Sequence, residues 1–141
     1  MTQECCAVKN EIMILACSGA SNLGQLANQA AVELTREGFG RMSCLAAIGA
    51  HLDNFVQSAK NVPTLVTIDG CPVSCARHAL EHAGISLQTY VLLHDLGIEK
   101  TANTVLDPAE VEKVKAAVRD ACDGHARTVG VSAAPSPSCC G

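Results

Sequence analysis

Aromatic residues are almost absent from this sequence, and basic residues are few. The 141 residues include no Trp, one Tyr and two Phe, so aromatic platforms that stack the bases of single-stranded nucleic acid are not expected. Ten Lys and Arg stand against 14 Asp and Glu, for a formal net charge of −4. No basic cluster exists to bind a phosphate backbone, so the composition argues against a nucleic-acid partner.

Long apolar runs are also missing. The apolar stretch from Ile12 to Ala16 is shorter than the roughly 7–15 residues of a signal-peptide core, and two acids, Glu4 and Glu11, precede it. Nothing approaches the roughly 20 apolar residues of a membrane span. We therefore expect no membrane partner and a cytoplasmic location, where thiols stay reduced.

Cysteine, by contrast, is abundant. Nine cysteines in 141 residues fit either a secreted disulfide scaffold or a cytosolic metal or redox protein, and the odd count disfavours complete pairing. A chain of this length can bury a core without disulfides. The composition therefore predicts one domain in which some cysteines serve as ligands or reactive groups.

Short apolar segments alternate with helical patterns along the chain. Strands are predicted over 11–16, 41–48, 64–68 and 89–94, and helices over about 22–37, 51–60, 72–83 and 107–122. Such alternation predicts parallel strands joined by right-handed crossovers. The expected fold class is a single-domain layered α/β fold with a mainly parallel sheet of four or slightly more strands, similar to the flavodoxin or Rossmann arrangement.

Local signals mark the helix ends. Pro72 predicts the first turn of the third helix, and Asp107 with Pro108 predicts the start of the last one. Ser21 or Asn22 is expected to cap the first helix. Asp69 is expected to hold a turn by accepting backbone N–H groups.

Composition divides the chain into a short extension over 1–10, an α/β domain over 11–123 and a tail over 124–141. The tail is rich in Ala, Ser, Pro and Gly and is predicted to be flexible because it buries too little apolar surface. Its adjacent thiols, Cys139 and Cys140, could capture a soft metal and pass it to the domain; an end without a role is the alternative. For Cys5 and Cys6 the second interpretation is favoured.

Four cysteines are expected to meet at one edge of the sheet. Cys17 ends strand one, Cys44 lies within or just past strand two, and Cys71 follows strand three. Ligands of open α/β sheets bind beyond the carboxyl ends of the strands. Cys75 stands four residues after Cys71, on the same face of the predicted helix.

Four thiolates suit a closed tetrahedral zinc site without an open position for a catalytic water. Helix N-termini after Gly19 and Gly70 are expected to lower the thiolate pKa. The spacing itself leaves inert buried cysteines as an equal alternative.

The sequence resembles the DGC-domain family in four strings: CSGASNLGQLANQAAVEL, SCLAAIGA, IDGCPVSCARHALEHAG and HDLGIEKT. The resemblance covers about residues 11–101, and the family is described as zinc-binding and named for its Asp-Gly-Cys motif. It implies a zinc ion held by four chelating cysteines, which fall motif by motif on Cys17, Cys44, Cys71 and Cys75. From the resemblance together with the residue pattern, we expect a metal-binding function, for storage, sensing or transfer, in which the metal ion is the expected partner and a protein partner is left open.

A second motif supports a different function. Cys71 to Arg77 has the C-x5-R spacing by which low-molecular-weight tyrosine phosphatases and related arsenate reductases place a thiolate under an oxyanion. Pro72 lacks an N–H group and the loop has no glycine, which disfavours a phosphate cradle. A thiol-dependent redox enzyme or oxyanion reductase using Cys71 and Arg77 is therefore the alternative to metal binding.

Three histidines are further candidates. His78 and His82 stand four residues apart, a spacing that can bind zinc, although ordinary surface histidines are the favoured interpretation. His94 ends the fourth strand near the predicted site, and it is the preferred extra ligand or proton carrier. An ordinary loop histidine is nevertheless the favoured interpretation of His94.

Overall fold

The computed structural model describes residues 12–128, and its strands form one parallel sheet. The strands are β1 (Ile12–Ala16), β2 (Arg41–Met42), β3 (Thr64–Asp69) and β4 (Thr89–Leu92), in the order β2-β1-β3-β4. β1 and β3 form the centre and pair from Ile12↔Thr64 to Ala16↔Ile68. The predicted layered α/β fold with a parallel four-stranded sheet is confirmed.

Helices cover both faces of the sheet. They are α1 (Asn22–Arg36), α2 (Leu45–Gly49), α3 (Asp53–Asn61), α4 (Cys75–His82) and α5 (Pro108–Thr128), with a 3-10 turn over Leu93–Leu96. The core between the sheet and helices α1 and α5 includes Ile14, Val66 and Val114, while Leu15 and Leu80 belong to the core on the other face. No helix within residues 12–128 has the length and apolar content to cross a membrane.

The apolar period of α1 explains its position against the sheet. Leu23, Leu26 and Leu34 are completely buried, as expected for one face of an amphipathic helix. The Ser21 hydroxyl accepts a hydrogen bond from the Gly24 N–H at 3.3 Å and so caps the helix. Gly38, with φ of 76°, follows the helix, where glycine adopts the left-handed conformation without steric cost. Both predicted ends of α1 are confirmed.

The predicted second strand is much shorter than expected. Only Arg41–Met42 is a strand, and Leu45–Gly49 forms α2 with Cys44 as its N-cap. A short apolar run does not distinguish a strand from a buried helix. The Leu-Ala-Ala segment has strong helix formers, and Ala47 and Ile48 of this helix are buried.

Helix α4 begins at Cys75, three residues later than Pro72 predicted. Ser74 has φ of 54° and ψ of 46°, so the chain passes through the left-handed region just before the helix. Cys71 therefore lies in the preceding turn, where its carbonyl accepts from the Ser74 N–H at 2.9 Å. The predicted helical relation between Cys71 and Cys75 is wrong, because a left-handed residue separates them.

The last helix begins where the sequence predicts and ends later than predicted. The Asp107 carboxylate accepts from the Ala109 N–H at 2.9 Å, and Val111, Val114 and Val118 are buried. The helix continues past Gly124 to Thr128. The extension over 1–10 and the thiol pairs Cys5-Cys6 and Cys139-Cys140 lie outside the described residues.

Candidate functional site

A cavity of about 290 Å³ lies beyond the carboxyl ends of β1 and β3. Its lining comprises Cys17, Gly19, Ala20, Ser21, Gly24, Gly70, Cys71, Val73, Cys75 and Lys100. The connection after β1 leads to α1 on one face of the sheet, and that after β3 leads to α4 on the other. This divergence is the switch point at which open α/β sheets bind ligands.

Close backbone contact brings the two loops of the cavity together. A Cβ added to Gly70 would lie 2.7 Å from the carbonyl carbon of Leu23, and one added to Gly24 would lie 2.6 Å from the Gly19 nitrogen. These distances are shorter than carbon contacts allow, so only glycine fits at either position. The loop that carries Cys71 can therefore pack directly against the first turn of α1.

Cys17 occupies the half-buried end of β1. Burial raises the pKa of its thiol above the ordinary value, and the charges of Asp69 and Cys75 act in the same direction. Hydrogen bonds from the backbone N–H groups of Gly19 and Gly70 lower the pKa but do not reverse the shift. The expected lowering of the thiolate pKa is thus wrong for Cys17, because lost solvation outweighs the two amides.

Asp69 fixes the beginning of α4 and hence the position of Cys75. Its side chain is 1% exposed and accepts from the N–H groups of Ala76 at 2.8 Å and Arg77 at 2.9 Å. The Tyr90 hydroxyl lies 3.0 Å from the same carboxylate. Asp69 therefore caps a helix rather than a turn, and the structural role expected for it is observed in this form.

Lys100 adds a cation beside the sulfur of Cys71. Its Nζ atom lies 3.5 Å from Cys71 Sγ. The segment around Lys100 is bound to Asn22, whose Nδ2 donates to the Glu99 carbonyl at 2.8 Å and whose Oδ1 accepts from the Thr101 N–H at 2.7 Å. Lys100 belongs to the string HDLGIEKT, but the sequence assigns it no role because these hydrogen-bond partners are 77 and 79 positions apart.

Cys44 does not line the cavity. It is exposed at the N-cap of α2, next to α4, since α2 and α4 are in contact. At their other ends, His51 Nε2 and His82 Nδ1 are 2.9 Å apart. Cys44 precedes His51 by seven residues, as Cys75 precedes His82. Cys44 and Cys75 therefore stand the same number of residues before two histidines that are in contact.

Acidic residues, rather than cysteines, form the tightest group of metal-ligand side chains in residues 12–128. Carboxylate oxygens of Glu33, Glu37 and Glu112 lie within 4.8 Å of one another, and no three cysteine sulfurs in that range are so close. The Lys115 ammonium, 5% exposed, bonds to all three acids. It occupies the centre of the group, which therefore acts as an ion-pair cluster between α1 and α5.

The other candidate residues lie outside the cavity. Arg77 Nε binds Glu81 Oε1 at 2.8 Å, and both side chains are about half exposed. His78 Nδ1 lies 3.6 Å from the same Glu81, so it does not share a partner with His82. His94 is exposed in the 3-10 turn, and its backbone N–H donates to the Gly70 carbonyl at 3.1 Å. None of these side chains is among the described residues that line the cavity.

The cavity lies within a part of the chain that is similar to known proteins. The model of the DGC domain family matches residues 13–118, which include the whole cavity lining. The chain is 29% identical over 102 residues to the anaerobic and virulence modulator AnvM of Pseudomonas aeruginosa strain PAO1, a match that covers 72% of this chain and 78% of AnvM. No solved structure matches the chain significantly.

Proposed function

We propose a metal-binding function from one premise: this chain belongs to the DGC-domain family. The observation that carries the proposal is the meeting of Cys17, Cys71 and Cys75 at one cavity. Thiolates are preferred ligands of zinc and of softer metal ions. We therefore propose that the cavity binds one thiophilic ion, with zinc as the expected metal.

The chemistry of the cavity lining fits such an ion. Its donors are soft sulfurs, and residues 12–128 contribute to the lining no carboxylate that would favour a hard cation. Several thiolates on one divalent ion leave excess negative charge. The Lys100 ammonium and the Gly19 and Gly70 N–H groups are placed to offset it.

We propose Cys44 as the fourth ligand. Cys44 stands at the head of α2 and Cys75 at the head of α4, and contact between these two helices supports the proposal. Because the sulfurs do not form a compact group in the described structure, metal binding should draw the connecting loops together. Binding free energy would then contribute directly to folding free energy.

Storage, sensing and transfer are the roles open to such a site. The relative AnvM is named a modulator, which supports sensing for this chain. A sensor needs an ion that exchanges, and exposure of Cys44 is consistent with exchange. We propose a cytoplasmic location, since this ligand set requires reduced thiols.

Thiol-dependent redox chemistry is the second candidate, because three cysteines share one cavity. The form of it that uses Cys71 with Arg77 is less well supported, since Arg77 pairs with Glu81. Alkylation separates the two functions. A metal-filled site protects Cys17, Cys71 and Cys75 from iodoacetamide, whereas a redox thiol reacts whether or not metal is added.

Native mass spectrometry of untagged, reduced protein tests the metal-binding proposal. We expect one zinc per chain, lost on treatment with a strong chelator and restored by added zinc. Substitution by Co²⁺ should produce the thiolate-to-cobalt absorption of a tetrahedral site, with an intensity that reports the number of sulfur ligands. Reduced protein that takes up neither zinc nor cobalt would refute the proposal.

A further inference from the structure

Lys100 is the one charged residue among the described residues that line the cysteine cavity. Its ammonium lies 3.5 Å from Cys71 Sγ and is exposed to solvent. An exposed cation that touches a candidate ligand is available to a second partner from solution. A partner of negative charge is the chemical match.

The position of Lys100 is fixed although its side chain is exposed. Glu99 and Thr101 flank Lys100, and both are hydrogen-bonded to the side-chain amide of Asn22. Asn22 is only 8% exposed. The Asn22 backbone N–H adds a third hydrogen bond, to the Thr101 carbonyl at 3.1 Å. The backbone at Lys100 is thus anchored to the first turn of α1, next to the cavity, so that only the side chain has to be ordered on binding.

The cavity has room for more than an ion. Its volume of about 290 Å³ compares with roughly 30 Å³ for one water molecule in the liquid. Three cysteines face this space, while Cys44 stands outside it. Before Cys44 closes the site, a metal held by three protein sulfurs would keep one position for an external ligand.

We propose that zinc reaches this cavity as a complex with a small anionic thiol, whose carboxylate pairs with Lys100. This inference rests on the proposed metal-binding function. Transfer is a ligand exchange without change of oxidation state. The bond between zinc and the carrier sulfur breaks, a bond between zinc and the sulfur of Cys44 forms, and the Cys44 proton passes to the departing thiolate.

Two small thiols of opposite charge test the proposal: mercaptosuccinate, which keeps a free carboxylate when the other binds zinc, and thiocholine, whose quaternary ammonium cannot bind zinc. Zinc complexes of each are mixed with metal-free protein at low salt, and uptake is followed by native mass spectrometry. The measured quantity is the ratio of the two uptake rates. Comparing this ratio between variants cancels the intrinsic difference between the two complexes.

Lys100→Glu should lower the mercaptosuccinate-to-thiocholine ratio about 3- to 10-fold, the range expected for reversing one exposed charge pair. Lys113→Glu, at an exposed position on α5, makes the same change in net charge and should alter the ratio less than about twofold. Lys100→Gln should give an intermediate ratio and serves if the charge reversal impairs folding. High salt should reduce all these differences.

An unchanged ratio in Lys100→Glu and Lys100→Gln, with normal uptake of free zinc, would overturn the carrier proposal and leave metal binding intact. Wild-type protein that takes up zinc from no source would instead overturn the metal-binding function itself. The two failures are therefore distinguishable.

Discussion

Asn22 and Thr101 are joined by two hydrogen bonds that connect the first turn of α1 to a loop near the end of the domain. The Thr101 N–H donates to Asn22 Oδ1 at 2.7 Å, and the Asn22 N–H donates to the Thr101 carbonyl at 3.1 Å. Lys100 precedes Thr101 and lies beside Cys71. One polar residue on α1 thereby positions the only charged member of the cavity lining among the described residues.

Asn22→Ala should destabilise the protein by about 1–3 kcal/mol, because two partly buried backbone groups lose their partners. Urea unfolding at pH 7 measures this loss. Asn103→Ala is the control, since Asn103 makes its side-chain hydrogen bond to Val105 at an exposed site; its cost should be below about 0.5 kcal/mol. If both variants lost the same free energy of unfolding, the Asn22 hydrogen bonds would contribute no more than that of an exposed asparagine.

Asp69→Asn should also destabilise the protein, by about 1–3 kcal/mol. The carboxylate accepts from two helix N–H groups and lies beside the Tyr90 hydroxyl, whereas an amide offers one oxygen and turns a donor toward them. Thermal unfolding of metal-free protein measures the change. Asp53→Asn, at the exposed start of α3, should cost less than about 1 kcal/mol, and a similar loss in both would contradict the capping role of Asp69.

Cys71→Ser and Cys75→Ser should each reduce zinc retention by at least about tenfold, because a serine oxygen replaces a thiolate that zinc prefers. Competition with a chromophoric chelator gives the affinities. Cys122→Ala should leave the affinity unchanged, since Cys122 is half-buried on α5 against the core. The same assay on Cys44→Ser tests the fourth ligand, and wild-type affinity there would remove Cys44 from the ligand set.

His82→Ala should loosen α2 from α4 by removing the partner of His51. The expected cost is about 0.5–1.5 kcal/mol, and Cys44 should be alkylated faster in metal-loaded protein. His78→Ala removes a histidine from the same helix whose partner is the exposed Glu81, so it should change neither quantity. Unchanged Cys44 alkylation in His82→Ala would show that the histidine pair does not position Cys44.

Glu37→Gln should make the free energy of unfolding fall less steeply as the pH is lowered. Its hydrogen bond to Lys115 lowers the pKa of Glu37, so this carboxylate stabilises the fold above its unfolded pKa of about 4.3. That contribution disappears as pH falls through the lowered pKa of the folded state. Urea unfolding at pH 7 and below about pH 4 gives the free energy of unfolding of both proteins. The variant should be less stable than the wild type at pH 7, and this difference should shrink in acid. Asp120→Asn, on the exposed side of α5, should keep the wild-type pH profile.

The sequence by itself was sufficient for the layered fold and for two of the cavity cysteines, Cys17 and Cys71. Apolar strands alternating with helical periods admit few arrangements other than a parallel sheet with helices on both faces. In such a sheet the carboxyl ends of all strands lie at the same edge. The convergence of Cys17 and Cys71 therefore follows from their places after β1 and β3, without knowledge of the packing.

The local conformations and the charges around the sulfurs depend on the tertiary structure. The run from Leu45 to Gly49 became a helix because burial against α4 favours it, and a short apolar run does not encode that choice. Burial likewise reversed the expected pKa shift of Cys17. Lys100 joined the cavity through contacts with Asn22 across more than 70 positions of sequence. Desolvation and long-range hydrogen bonds depend on which segments meet in space, and residue spacing along the chain carries no direct record of them.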